Sequence, residues 1–195
     1  MRALEGGGEA PYELNITLVD ALGAGPEGAA DGLGPQRLAA AHALMLALQG
    51  IPAVYIHSLL ATPNDLAGVE RTGRTRSINR RSWDRDALGT HLAGGQAQAS
   101  WARLETLLRC RWKLVAFHPE ASQTVLDCGP SLLAFTRGTG RARLLVLVNP
   151  TGQRQQVAAL PGASGAPVLR DHLSNAPVDL GEPLAPYAYH WLAWP

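Results

Sequence analysis

Apolar positions change rhythm several times along the chain. From Pro35 to Leu48 (PQRLAAAHALMLAL) they are almost uninterrupted, and leucine and alanine are strong helix formers. The pattern predicts one helix, opened by Pro35 and ended at Gln49-Gly50. Its surface is apolar nearly all round, so it should pack on both sides. Ile51 to His57 (IPAVYIH) is a continuous apolar run of strand length. It predicts a buried strand, with Pro52 tolerated near its start. A strand of this kind directly after a helix implies a parallel sheet covered on both faces. From Ser58 to Gly95 periodic apolar positions almost vanish, which predicts a long polar segment with one short helical turn at Trp83 to Leu88. Trp101 to Val115 regains helical spacing. Trp101, Leu104, Leu107, Leu108 and Leu114 form the apolar stripe, and Arg103, Glu105, Arg109 and Arg111 the wetter side. Phe117-His118-Pro119 stops that helix.

From Ala121 onward short apolar runs alternate with turn signals. The runs are Gln123 to Asp127, Leu132 to Arg137, Arg143 to Asn149, Arg154 to Val157, Pro167 to Asp171 and Tyr187 to Trp194. Turn residues such as Gly129-Pro130, Gly138-Thr139-Gly140 and Asn149-Pro150 separate them. This rhythm predicts an antiparallel sandwich, with Trp191 and Trp194 in its packing. A domain boundary is expected near residues 118 to 122, dividing the chain into 1–120 and 121–195.

The amino-terminal part reads less clearly. Met1 to Pro11 is a flexible entry, and Tyr12 to Leu22 is a loop with one strand-like piece, broken by Asn15 and Asp20. Gly23 to Gly34 is a loop. One parallel strand and two helices cannot bury themselves as an α/β unit. Either another chain completes the sheet, or the chain is the carboxyl-terminal end of a longer protein; the loop-like start favours the second.

Composition narrows the function. The 195 residues are 46% hydrophobic and 17% charged, with net charge +1. That suits a globular protein and excludes the broad basic excess of a general nucleic-acid or membrane-surface binder. No stretch has the length and apolarity of a membrane span or the form of a signal peptide, so the expected location is the cytoplasm. Cys110 and Cys128 show no metal spacing and read as buried thiols in a reducing compartment. No cofactor or metal is expected, and oligomeric state is not encoded in these patterns.

Against this near-neutral background one stretch stands out. Gly68 to Arg81 (GVERTGRTRSINRR) holds five arginines in a chain with one lysine, Lys113. Guanidinium groups beside glycines suit a loop that meets anions or sugar hydroxyls, because the planar fork donates two parallel hydrogen bonds. The alternative is a solvated basic loop. His42 lies in the apolar helix and reads as a core histidine. His57, at the end of the predicted strand, is a candidate pocket residue.

The order of several motifs carries a resemblance. Tyr12-Glu13-Leu14-Asn15 is followed by Asp20-Ala21-Leu22, a helix, then Gly50-Ile51-Pro52-Ala53-Val54-Tyr55. Asn64-Asp65 and Gly73-Arg74-Thr75-Arg76-Ser77-Ile78-Asn79-Arg80 come next. This series resembles the sucrose phosphorylase branch of the α-amylase superfamily, clearly over residues 12 to 82 and loosely beyond. The resemblance implies α/β plus all-β architecture: the last strand and helices of a (β/α)8 barrel, followed by an antiparallel β-sandwich.

It further implies a retaining α-glucoside phosphorylase, which forms a β-glucosyl-enzyme on an aspartate and passes glucose to phosphate as α-glucose 1-phosphate. The partners implied are an α-glucoside and inorganic phosphate. In that family the catalytic carboxylates sit on earlier barrel strands, so no catalytic residue is expected in this chain. Glu5, Glu9, Glu13, Asp20 and Asp31 do not replace them, and the chain alone is expected to be inactive. Tyr12 and Arg76 match the family positions that meet acceptor sugar or phosphate, and Arg74 is a second candidate. Asn64 and Asp65 match a family step, with a capping or turn role equally open. Glu13 stands where sucrose-specific members carry an amide. A carboxylate there accepts but does not donate, which argues against sucrose, and the extra Arg74 favours an anionic acceptor such as glycerate or a sugar phosphate. The competing readings are an α-glucoside hydrolase or transglucosidase of the same superfamily, and a non-catalytic carbohydrate-binding module.

Overall fold

The computed structural model describes residues 2–3, 6–10, 14–25, 28, 30–157, 160 and 168–194. Strands β1 (Arg2–Ala3) and β2 (Glu9–Ala10) form a minimal antiparallel pair in the stretch expected to be flexible. Helix α1 (Leu18–Gly23) follows, where a loop with a strand-like piece was expected. Thr17 explains the difference: it is a buried N-cap whose hydroxyl accepts from the Asp20 amide. Helix α2 (Gly34–Ala47) matches the predicted helix and carries Pro35 at its start.

The expected strand over Ile51–His57 is not formed. The chain is unpaired through Tyr55 and then enters α3 (Ile56–Leu59). Among the described residues no strand lies beside it, and a parallel strand keeps its ladder only with a neighbour. Exposure alternates along it: Ile51, Ala53 and Tyr55 are open, while Pro52 and Val54 are half-buried. Val54 packs against the core.

The polar segment after it contains more structure than its composition suggests. It forms α4 (Leu66–Thr72), a 3-10 turn (Thr75–Asn79) and α5 (Arg85–Leu92). Asp65 and Asp84 cap the two helices by accepting from the amides of Gly68 and Ala87. The turn expected at Trp83 to Leu88 is the start of α5, while α4 has a good cap but too little apolar periodicity to show in the hydrophobic pattern.

Helix α6 (Gly95–Lys113) begins earlier than its apolar stripe. Ala97, Ser100, Leu104 and Leu107 face inward, whereas Trp101 and Leu108 are exposed. Arg111, expected on the wet side, instead turns in and donates to the carbonyls of Leu46 and Gly50. Those carbonyls belong to the end of α2 and the turn after it, where the helix presents partial negative charge.

Beyond residue 120, β3 (Gln123–Leu126), β4 (Leu133–Arg137), β5 (Leu144–Val148) and β8 (Tyr189–Ala193) form one antiparallel sheet in the order β3-β4-β5-β8. Its register aligns Phe135 with Val146 and Val146 with Trp191. A second, two-stranded sheet pairs β6 (Val168–Arg170) with β7 (Pro177–Asp179), a strand the run pattern did not mark. Arg154 to Val157, expected as a strand, contributes only a single bridge between Gln155 and Leu184.

Side chains alternate across the large sheet. Leu144, Val146, Val148 and Trp191 face α2 and α6, packing with Ala43, Leu46, Leu104, Leu107 and Phe117. Leu145, Leu147 and Leu192 face the other layer, with Leu169, Leu180, Leu184 and Trp194. Helix α2 is thus covered by α6 and by the sheet, and one core crosses residue 120. Each large side chain buried there contributes about 1.5–3 kcal/mol. His42 is buried and its Nδ1–H donates to the Leu38 carbonyl, the satisfied core histidine expected. Burial pushes its pKa down. Cys110 is half-buried and Cys128 buried, and both are free thiols. No helix among the described residues is long and apolar enough to cross a membrane.

Candidate functional site

Three stretches converge at the end of the unpaired segment 51–55. The first is the segment itself with the start of α3, which deliver Tyr55 and His57. Tyr55 donates its hydroxyl to the Asn79 carbonyl at 2.7 Å, and its ring meets His57 edge-on at 5.2 Å. The second is the arginine-rich turn. Gly73, in the left-handed region at φ 64°, ends α4 and lets the chain swing into Arg74. Arg74 and Arg76 are both exposed on the turn that follows. The turn is tied down at Ile78, whose carbonyl accepts from the Asp65 amide at 2.9 Å, and at Ser77, whose hydroxyl lies 2.7 Å from that of Thr72.

The third stretch runs from Leu14 to Asp20. The Thr17 amide donates to Asn64 Oδ1 at 2.8 Å, and the Asn64 amide donates to Asp20 Oδ2 at 2.8 Å. Asn64 therefore stitches the segment after residues 12 and 13 to the loop before α4. Asp65 accepts from the Gly68 amide at 2.9 Å as the cap of α4. A side chain on Gly68 would meet that carboxylate at 2.2 Å, so any larger residue here makes the capping carboxylate shift. Tyr12 and Glu13 lie outside the described residues.

Behind Tyr55 and His57 sits a network that motif reading did not mark. Thr62 is buried, reached by a turn in which Ala61 is held at φ 47°. A non-glycine residue with positive φ in a buried turn is a strained feature. The Thr62 amide donates to the His57 carbonyl at 2.8 Å. Trp83 Nε1–H donates to the Thr62 hydroxyl at 3.2 Å, and that hydroxyl lies 3.2 Å from His57 Nδ1. Trp83 also stacks on His91 at 4.6 Å and carries the Arg81 guanidinium 4.0 Å from its ring centroid. His91 Nε2–H donates to the Leu60 carbonyl at 2.9 Å. Burial holds the His57 pKa below its ordinary value. The only visible signal for this network was the tryptophan among polar neighbours.

The chemistry this corner can perform is recognition. It offers two exposed guanidiniums, a half-buried imidazole and a turn fixed by several hydrogen bonds. Open grooves are found away from these arginines: one of about 470 Å³ beside Pro52, Leu108 and Trp112, and one of about 400 Å³ between α6 and β8.

Comparison with known proteins gives these features a context. The chain is 39% identical over 155 residues to a glucosylglycerate phosphorylase of Allomeiothermus silvanus, covering 78% of this chain and 28% of that protein. It is 32% identical over 141 residues to the glucosylglycerate phosphorylase of Escherichia coli, covering 71% and 25%. Among solved structures it resembles sucrose 6F-phosphate phosphorylase from Thermoanaerobacter thermosaccharolyticum with TM-score 0.52 and 23% identity, over 65% of this chain and 27% of that one. No family-level sequence profile matches the chain. Over these residues the chain is similar to glucosylglycerate phosphorylases, and it shares its fold with part of the sucrose 6F-phosphate phosphorylase structure. It spans 28% and 25% of the lengths of these two curated relatives.

Proposed function

We propose that this chain is the carboxyl-terminal portion of a retaining α-glucoside phosphorylase and carries the phosphate and acceptor side of its active site. In this reading residues 1–120 belong to a (β/α)8 barrel, with segment 51–55 as its last strand, and residues 121–195 form the sandwich domain. The catalytic carboxylates belong to the preceding part of such an enzyme. The chain by itself then turns over no glucoside, and its place is the cytoplasm.

The observation that carries this reading is the arginine turn, anchored through Asn79 to Tyr55 at the carboxyl end of the unpaired segment. Active-site groups of barrel enzymes gather at that end of the strands. Arg76 meets the incoming phosphate, where a guanidinium supplies charge and a two-pronged geometry. Arg74 lies beside it in sequence. Tyr12, Glu13 and His57 line the acceptor. Asn64 and Asp65 shape the loop below by the bonds described. Because the relatives are named glucosylglycerate phosphorylases, the acceptor proposed is glycerate, in keeping with a carboxylate at Glu13 that does not suit sucrose.

The test joins this chain to the preceding part of the A. silvanus relative and assays glucosylglycerate with inorganic phosphate. Phosphate-dependent release of glucose 1-phosphate is expected, and Arg76→Ala should raise the phosphate KM more than it disturbs glucose recognition. Glucose released at the same rate without phosphate would mark a hydrolase instead. Turnover by the 195-residue chain alone would overturn its assignment as a non-catalytic portion.

A further inference from the structure

The relay behind the site bears on which ring nitrogen of His57 carries the proton. The indole of Trp83 can only donate, so the Thr62 hydroxyl accepts from it at 3.2 Å. That hydroxyl is buried, with Thr62 1% exposed, and has one proton of its own to place. The other side-chain partner described for it is His57 Nδ1 at 3.2 Å. A buried hydroxyl that already accepts one bond satisfies itself by donating to such a neighbour. In that arrangement Nδ1 accepts and the proton of the neutral ring is on Nε2.

We propose that His57 is a specificity-determining residue of this site, held by the Trp83–Thr62 relay as a neutral Nε2–H donor for a hydroxyl oxygen of the acceptor substrate. This rests on the acceptor-site reading given above. The division of labour is chemical. Arg76 and Arg74 supply positive charge for the anionic group. His57 supplies one uncharged donor for the hydroxyl of a small hydroxy acid such as glycerate, while inorganic phosphate is met at Arg76. A site built to hydrogen-bond a hydroxyl discriminates strongly against ligands that lack it. Depression of the His57 pKa by burial keeps the ring neutral near pH 7. The strained turn at Ala61, which itself packs with Val19, Leu38 and Ala97, brings the Thr62 hydroxyl to the Nδ1 edge of the ring.

The test uses the 195-residue chain. Nitrogen-15 NMR of the His57 ring should show Nε2 protonated and Nδ1 unprotonated near pH 7. Thr62→Val should convert it to a mixture of tautomers. A ring protonated on Nδ1 in the unmodified chain overturns the proposal. Titration with glycerate and, separately, inorganic phosphate reads the function. His57→Phe should weaken glycerate by about tenfold and leave phosphate unchanged, and His57→Gln, which restores an N–H donor, should recover part of the loss. Equal weakening of both ligands by His57→Phe reduces His57 to a structural residue and sinks the inference alone. If the unmodified chain binds neither ligand, or if Arg76→Ala leaves phosphate binding intact, the acceptor-site reading falls first and this assignment with it.

Discussion

The hydroxyl of Tyr55 donates to the backbone carbonyl of Asn79 at 2.7 Å, across 24 positions of sequence. That single bond joins the end of the unpaired segment to the turn that carries Arg74 and Arg76. Tyr55 is 47% exposed, so its ring is a small part of the core and the hydroxyl is the group that matters. Removing it costs about 1 kcal/mol locally.

Tyr55→Phe is therefore expected to loosen the turn without unfolding the chain. Trypsin should cut after Arg74, Arg76 and Arg80 about fivefold faster, since local opening governs cleavage of a folded segment. Cleavage on α6, after Arg103 or Arg109, should be unchanged. Identical digestion of the two proteins at the turn would show that the other tethers, at Ile78 and Ser77, suffice.

Much of the fold could be read in advance, for identifiable reasons. Helix α2 and strands β4, β5 and β8 have long apolar runs whose burial does not depend on anything outside the chain. Segment 51–55 has an equally strong run, yet a strand exists only as part of a ladder, and the ladder is not present among the described residues. Helix α4 was hidden, and α5 showed only as a short turn over Trp83 to Leu88, because Asp65 and Asp84 specify these helices by caps and not by apolar rhythm. In the candidate site, Arg74 and Arg76 stood out as a charge cluster against a neutral background. Thr62 did not, because its role comes from where Ala61 turns the chain, and one threonine has no signature in composition.

Arg37 is a second long-range tie, and it makes stability depend on pH. Its guanidinium pairs two-pronged with Asp31, both contacts at 2.8 Å, and also donates to the Leu22 carbonyl at 2.6 Å. The bond from Arg37, then that from the Leu33 amide, lowers the Asp31 carboxyl to about 2 in the folded chain. An unfolded aspartate titrates near about 3.9. Folding thus favours the ionised form, so the stabilisation is full above that unfolded value and is lost as pH falls through it toward 2. Asp31→Asn should be less stable than the parent at pH 7, and the gap between their urea midpoints should close between about pH 4 and pH 2. A gap that persists unchanged at pH 2 would contradict this origin.

Trp112 raises a question of surface chemistry. It is 92% exposed on α6, beside Leu108 at 38% and Val115 at 76%, and it borders the open groove with Pro52. An apolar strip of this kind promotes association in water. Trp112→Ser should change stability by less than about 0.5 kcal/mol, because the ring buries little within the chain. It should lower self-association measured by sedimentation at rising protein concentration. Unchanged sedimentation in the variant would remove this strip from any account of how the chain associates.

Arg137 has the opposite character. It is 0% exposed, in the strand layer that faces the helices, and among the described residues no carboxylate pairs with it. It donates instead to the carbonyls of Ala47 at 2.6 Å, His118 at 3.0 Å and Ala121 at 3.3 Å. Ala47 ends α2, and His118 and Ala121 belong to the turn that leads from α6 into β3. One guanidinium thus satisfies the end of a helix and the corner where the helical part meets the sheet. Arg137→Ala removes charged hydrogen bonds from buried carbonyls and leaves a void, a combination expected to cost about 3 kcal/mol or more. Arg137→Lys should recover little, since a single ammonium lacks the planar fork that reaches three carbonyls in different directions. Guanidinium chloride unfolding of the three proteins checks the order, and a lysine variant as stable as the parent would show that charge alone, without the fork, holds this corner.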